Sequence, residues 1–171
     1  VQTLAEQNNI DISETSIINP TTYPQLDRLV TSYKLKRESK GMTYDKSRQT
    51  LTTDNSFFGS MLVAEGLADG MVSGANHTTA ETLRAMIQCV GTAEGSSLIS
   101  SFFAMLTKNQ SVGEEGLLFF ADCAVVPRPS AEEMAQIAIQ TADSFLALTG
   151  IIPKVAMLSF STKGSAVHKY V

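Results

Sequence analysis

The chain has 171 residues, 43% of them hydrophobic, enough to bury a real core in one domain or two small ones. Its net charge of −4 supplies no basic footprint of the kind that nucleic acid or an anionic membrane surface requires. No apolar run reaches the roughly 18 residues of a membrane span, and "VQTLAEQNNIDIS" lacks a basic-then-apolar leader pattern, so a cytoplasmic protein is the simplest reading.

In chain order, Val1 to Gln7 looks like the tail of a helix, with no initiating methionine. Residues 10–20, "IDISETSIINP", read as a short β-type run closed by the turn signal Asn19-Pro20. From Pro24, "PQLDRLVTSYKLKRES" sets Leu26, Leu29, Val30 and Tyr33 at helical spacing. It ends in Lys34, Lys36 and Arg37, charges that complement a helix C-terminus. A short helix starts near Thr43, and Asp54 reads as the N-cap of "NSFFGSMLVAEG", which Gly66 ends. Residues 68–74, "ADGMVSG", read as a strand running into a glycine turn, followed by a helix over 78–90 that Gly91 stops.

Residues 97–106 and 117–126 read as buried strands, and the polar "TKNQSVGEEG" between them suggests a hairpin. Ser130 caps a long helix, "AEEMAQIAIQTADSFLALTG", acidic in its first turn and closed by Gly150. "PKVAMLSFSTKGS" is a last strand emptying into a small-residue loop. Strands alternating with helices predict an α/β protein with a largely parallel sheet. Parallel strands are expected near 69–73 and 154–160, with helices 78–90 and 130–148 packed on the sheets of different lobes. The composition shift at 91–97 divides the chain into 1–93, part of a first lobe, and 94–171, the beginning of a second. The odd ends suggest a piece of a longer protein.

In open α/β sheets, ligands bind where loops leave the carboxyl ends of strands. Two loops qualify, "VSGANHTTAE" and "LSFSTKGSA"; glycine lets a ligand near the backbone, and hydroxyls and amides bind anions. In the first, Thr78 and Glu81 fit a capping box. Leu83, Ile87 and Val90 mark a core stripe, and Arg84 is rotated about 100° from Leu83. Its guanidinium leans back toward Ser73, Thr78 and Thr79. An anion pocket is one reading of Arg84, and a surface pair with Glu81 is the other. In the second loop, Ser159, Ser161, Thr162, Lys163, Gly164 and Ser165 compose a phosphate-suited turn without Walker spacing, a plain solvated turn being the alternative.

His77 reads as an exposed or capping residue, with a general-base role as the alternative; His168 carries no argument. Asp122, between apolar flanks in "FFADCAVV", reads as a structural carboxylate pinning a loop amide, with a catalytic role as the alternative. Cys89 and Cys123 read as buried free thiols, with a disulfide as the other reading. No cluster has metal-ligand spacing and no GxGxxG run is present, so neither a metal nor the usual dinucleotide site is expected.

Three segments, in this order, resemble the phosphate acetyltransferase (phosphotransacetylase) family: "DNSFFGSMLVAEGLADGMVSGANHTTAETLRAMIQ", "LLFFADCAVVPRPSAEEMAQIAIQTAD" and "PKVAMLSFSTKGSA". The resemblance covers most of residues 10 to 166. Its specific part is the pairing of "ADGMVSGAxHTTAxTLR" with "ADCAVxPxPxAEE". Phosphate butyryltransferase and the ethanolamine-pathway acetyltransferase are close relatives of that family.

The resemblance implies a two-lobed, three-layer αβα enzyme of isocitrate/isopropylmalate dehydrogenase-like architecture, usually a homodimer, with its active site in the cleft. It implies reversible transfer of an acetyl group between coenzyme A and inorganic phosphate, giving acetyl phosphate, with no permanently bound cofactor. The arginine of the family's "TLR" motif maps onto Arg84. A second, following the basic helix, maps onto Arg37, with Lys36 competing for the place. Such arginines bind phosphate or polarise the acyl carbonyl, because negative charge develops on its oxygen as the tetrahedral state forms. The thiol of coenzyme A must also lose a proton to a base. The family's late Asp-Leu-Ser-Arg-Gly segment, expected to accompany that base, and its early Pro-Glu-Gly stretch do not occur here, so the chain alone is expected to be inactive. A non-catalytic module of the same fold is the competing reading, and the intact "HTTAETLR" favours the enzyme. Met134, Ile137, Ala138, Phe145 and Leu148 give the long helix a wide apolar face, so the isolated chain is expected to self-associate.

Overall fold

The structure, a computed structural model, describes residues 1–159, 161, 162 and 165. It is a mixed α/β chain of two compact units, Val1–Gly91 and Thr92–Val171. Among the described residues no helix is long and apolar enough to cross a membrane.

The first unit is helical. After the short α1 (Gln2–Gln7), residues 10–19 form no strand. Asp11 accepts a hydrogen bond from the Ser13 amide at 2.9 Å, and that local turn takes up a backbone donor that a ladder would need. Asn19 does close the run, accepting from the Thr21 amide at 3.0 Å to start a 3₁₀ turn. α2 (Leu26–Arg37) buries Leu26, Leu29, Val30 and Tyr33, the stripe its spacing predicts. α3 (Tyr44–Thr53) starts at the Thr43 cap, and the buried Ser47 donates to the Val30 carbonyl at 2.7 Å, which lets α3 lie close on α2. α4 (Asn55–Ala64) is capped by Asp54, and Gly66 leaves it at φ +67°. These helices and α5 (Thr79–Cys89) share one core of Leu26, Leu29, Val30, Tyr33, Leu51, Phe58, Met61 and Cys89.

Residues 70–74 take no strand and no helix. The expected strand there needs a partner, and the unit contains no other strand among its described residues, so the segment has nothing to pair with. The helix expected to pack on a sheet packs on helices instead: α5 lies against α4 and α2.

In the second unit the expected hairpin forms, with β1 (Phe102–Leu106) antiparallel to β2 (Leu117–Ala121) in the register Phe102↔Ala121 to Leu106↔Leu117. This antiparallel pair is the whole sheet among the described residues, and residues 152–159 run unpaired rather than as a parallel strand. The strands are shorter than the expected spans and are not buried on both faces: Phe103, Met105, Leu106 and Phe120 are exposed. α6 (Ala131–Thr149) covers the other side, where Phe119 stacks on Phe102 at 4.5 Å and meets Phe145 edge-on at 5.0 Å. α6 begins with a capping box between Ser130 and Glu133 and ends at Gly150 in the left-handed region, φ +74°. Ile137 and Phe145 are its buried residues, whereas Leu148, read as part of the apolar face, is exposed.

Candidate functional site

α5 starts as its sequence dictates. Thr78 Oγ1 accepts from the Glu81 amide at 3.3 Å, while Glu81 Oε2 accepts from the Thr78 amide at 2.8 Å and the Thr78 hydroxyl at 2.9 Å. Those bonds, the Thr78 amide foremost, hold the Glu81 carboxyl below its usual range. The box therefore engages the amide and hydroxyl of Thr78, which the sequence offered to an anion. The amides of Thr79 and Ala80 are the donors that the helix leaves without an intrahelical partner.

The buried face of α5 is Ala85 and Cys89, not the expected stripe of Leu83, Ile87 and Val90. Ile87 and Val90 are exposed, because α2 and α4 approach from the opposite side. Ser73 brings its hydroxyl to 3.5 Å from that of Thr82. Thr82 and Arg84 lie about 160° apart around the helix, so Ser73 and Arg84 flank different faces. Arg84 is exposed, as its position off the core requires. The alternative pairing with Glu81 is not formed.

The four arginines of this unit divide into two pairs. Arg28 reaches Glu65 at 3.2 Å, and Arg48 is ion-paired with Asp27. Arg37 and Arg84 form no ion pair among the described residues. Arg37, at the end of α2, is half-buried, and its Nε is buried with no hydrogen-bond partner. Lys36, its competitor, is exposed.

Beside Arg37 lies a buried polar patch. Tyr33 donates to Gln88 Oε1 at 3.0 Å, and burial first, then the neighbouring Cys89, pushes the phenol up to about 12. Burial likewise pushes the Cys89 thiol up to about 12, against the opposing pull of Lys36 and Arg37. Cys89 is thus a buried free thiol with almost no thiolate at neutral pH. Cys123 is also free and only half-buried, which corrects the expectation for that residue.

His77 is half-buried, with Nε2 3.7 Å from Asp54 Oδ1. The same oxygen accepts from the amides of Ser56 at 2.8 Å and Phe57 at 3.4 Å. The sequence read Asp54 only as a cap, and His77 as an exposed or capping residue with a general-base role as the alternative. The fold joins them, and no local signal announces a pair so far apart in the chain.

In the second unit, Asp122 is a structural carboxylate, as its position suggested, but holds more than one amide. It accepts from the amides of Ser101 at 2.9 Å, Ala124 and Val125 at 2.8 Å each and Val126 at 3.2 Å, and from the hydroxyls of Ser100 and Ser101. Burial pushes this carboxyl up, but the amides of Val125, Ser101, Ala124 and Val126 together outweigh it and hold the group well below the usual range. In the last loop, Ser161 Oγ lies 2.8 Å from Ser165 Oγ, its amide donates to Ser159 Oγ at 3.2 Å, and the Ser165 amide donates to the Thr162 carbonyl at 2.8 Å. Ser159, Ser161, Thr162 and Ser165 thus form one self-bonded turn; Lys163, Gly164 and His168 lie outside the described residues. An open apolar groove of about 900 Å³ runs between β2, α6 and residues 151–158, and none of the described residues expected to bind substrate lines it. Among the described residues no three His, Cys, Asp or Glu side chains converge as metal ligands.

Comparison with known proteins gives one consistent result. Residues 1–171 match the family described as phosphate acetyl/butaryl transferase. The chain is 50% identical over 162 residues to the phosphate acetyltransferase of Thermoanaerobacterium thermosaccharolyticum, covering 95% of this chain and 49% of that protein. It is 45% identical over 167 residues to the phosphate acetyltransferase of Clostridium acetobutylicum, covering 98% and 50%. In structure it is similar to the EutD phosphotransacetylase from Staphylococcus aureus, with a TM-score of 0.79, 42% identity and coverage of 98% and 48%. The chain spans about half the length of the curated relatives it matches.

Proposed function

The chain belongs to the phosphate acetyl/butaryl transferase family, and from that premise we propose that it is the central part of a longer cytoplasmic enzyme that moves an acetyl group between coenzyme A and inorganic phosphate. In the complete protein the two units contribute to two lobes, with the boundary near residue 93, and further strands complete mostly parallel sheets in an isocitrate/isopropylmalate dehydrogenase-like architecture. The enzyme works as a homodimer. Coenzyme A enters as a substrate, and no resident cofactor is needed.

One observation carries the assignment of the site. Arg28 and Arg48 are matched with carboxylates, whereas Arg37 and Arg84, the two arginines placed by family motifs, have none among the described residues. A guanidinium held without a counter-charge suits an incoming phosphate dianion, which it binds through two parallel N–H bonds. As thiolate attacks the carbonyl of acetyl phosphate, the same groups favour the oxyanion that develops. Ser73 and Thr79 add hydroxyl contacts, and Thr78 acts by holding the start of α5. Ser159, Ser161, Thr162, Lys163, Gly164 and Ser165 bind phosphate or coenzyme A. The base for the thiol lies outside residues 1–171. The acetyl rather than the butyryl reading follows the names of the curated relatives.

The test is thioester formation from acetyl phosphate and coenzyme A by the full-length protein. Arg84→Ala lowers turnover about 100- to 1000-fold, the cost of losing a transition-state donor, and leaves the fold intact because Arg84 is exposed. Arg84→Lys restores only part, since lysine keeps the charge but not the planar fork. Arg28→Ala, which removes an arginine already paired with Glu65, keeps near-normal turnover. Near-normal turnover in Arg84→Ala would overturn the assignment.

A further inference from the structure

Resting on the transferase reading above, we propose that His77 is a catalytic acid–base group acting on the phosphate, and that Asp54 is its positioning residue.

The chemistry creates the need. When the thiolate sulfur of coenzyme A bonds to the carbonyl carbon of acetyl phosphate, the carbon–oxygen bond to phosphorus breaks and its electron pair stays on the phosphate oxygen. Leaving from the acetyl phosphate dianion, that group departs as a phosphate trianion, a strongly basic species. A proton delivered to it during bond cleavage yields hydrogen phosphate dianion. In the opposite direction the same group takes that proton as phosphate attacks the thioester. The base that deprotonates the thiol is a separate group, so the two transfers balance: one proton leaves sulfur and one reaches oxygen.

His77 meets the requirements of the second transfer. It stands in the turn just before Thr78, at the head of the helix that carries Arg84. Nε2 lies 3.7 Å from Asp54 Oδ1. Asp54 is itself anchored, since the amides of Ser56 and Phe57 fix its carboxylate at the start of α4. A fixed carboxylate 3.7 Å from Nε2 offers the counter-charge that a histidine acid requires when its ring carries the proton.

The experiment compares two acyl donors in the full-length enzyme. Acetyl phosphate must have its leaving group protonated; acetyl methyl phosphate releases methyl phosphate dianion, which needs no proton. His77→Gln lowers kcat with acetyl phosphate about 100-fold, the scale of general acid catalysis, with little change in KM. With acetyl methyl phosphate it stays within a few-fold of wild type. Asp54→Asn, which caps α4 as well as aspartate does, shows the same selective loss at smaller size, with an unchanged melting curve. Equal losses on both donors, or no loss in His77→Gln, overturn the proposal while the transferase reading stands. A wild-type protein with no thioester-forming activity overturns the transferase reading and this one with it.

Discussion

Replacing Asp122 by alanine tests the network that ties the start of β1 to the loop after β2. The carboxylate accepts four amide and two hydroxyl hydrogen bonds. Alanine strands the four amides. Ala124 is exposed, so water satisfies its N–H, but the bonds from Ser101, Val125 and Val126 are partly buried. At the low end of about 1 kcal/mol for each donor left unsatisfied, the loss is roughly 3 kcal/mol. Asp122→Asn keeps one acceptor oxygen and loses about half as much. The chain has no tryptophan, so urea unfolding is followed by far-ultraviolet circular dichroism, with peptide-resolved hydrogen exchange to localise the change to residues 101 and 124–126. The dependence on pH has a fixed sign. Because the folded carboxyl is held below its usual range, its contribution is complete above the unfolded value of about 3.9 and fades as pH falls below it. The gap between wild type and Asp122→Ala is therefore full at neutral pH and narrows in acid. A variant within about 0.5 kcal/mol of wild type at neutral pH, with exchange at 124–126 unchanged, would refute the reasoning, since that is the scatter of ordinary surface substitutions.

Gly113 and Gly59 make a contrasting pair. Gly113 sits at φ +64°, and an added Cβ runs into the Leu117 carbonyl, so Gly113→Ala costs the hairpin more than about 2 kcal/mol. At Gly59 the added Cβ meets only the movable end of Met71, at 2.7 Å from Sδ, so Gly59→Ala changes stability by less than about 1 kcal/mol, helped by alanine's helix propensity; equal losses in thermal melts of the two would count against this. The 171-residue chain alone, with Phe103, Met105, Phe120, Ile139 and Leu148 exposed, associates in sedimentation velocity as its concentration rises, because apolar area gains about 25 cal/mol per Å² on leaving water. A sedimentation coefficient independent of concentration, at the value of a monomer, would refute that.

What the sequence disclosed follows the range of the forces involved. Helix starts at Thr43, Asp54, Thr78 and Ser130 and the stop at Gly150 were legible, because a cap involves residues within one turn of each other. Strand pairing was less so. The hairpin announced itself through a polar loop between apolar runs, whereas residues 70–74 and 152–159 have strand-like composition and no partner among the described residues of their own unit. The face of α5 was misread because both Leu83/Ile87/Val90 and Ala85/Cys89 form apolar stripes, and only the positions of α2 and α4 decide which is buried. In the candidate site, Arg84 was legible from its place off the core stripe as well as from the motif, whereas Arg37 came from the resemblance alone. That their sister arginines are matched with Glu65 and Asp27 depends on contacts between helices, which no spacing rule reveals. The pairing of His77 with Asp54 was out of reach for the same reason.

The two capping boxes also bear on how such a protein can change over evolutionary time. In each, the serine or threonine and the glutamate three residues later satisfy one another, so the helix begins at the same residue whatever precedes it. The starts of α5 and α6 are thereby independent of residues 74–76 and 127–129. Insertions, deletions and swaps in those stretches can remodel the walls of a binding site without shifting the registry of α5 or α6. A family that handles acyl groups of different length can thus diversify by exchanging loops as cassettes, leaving the helices as fixed docking points.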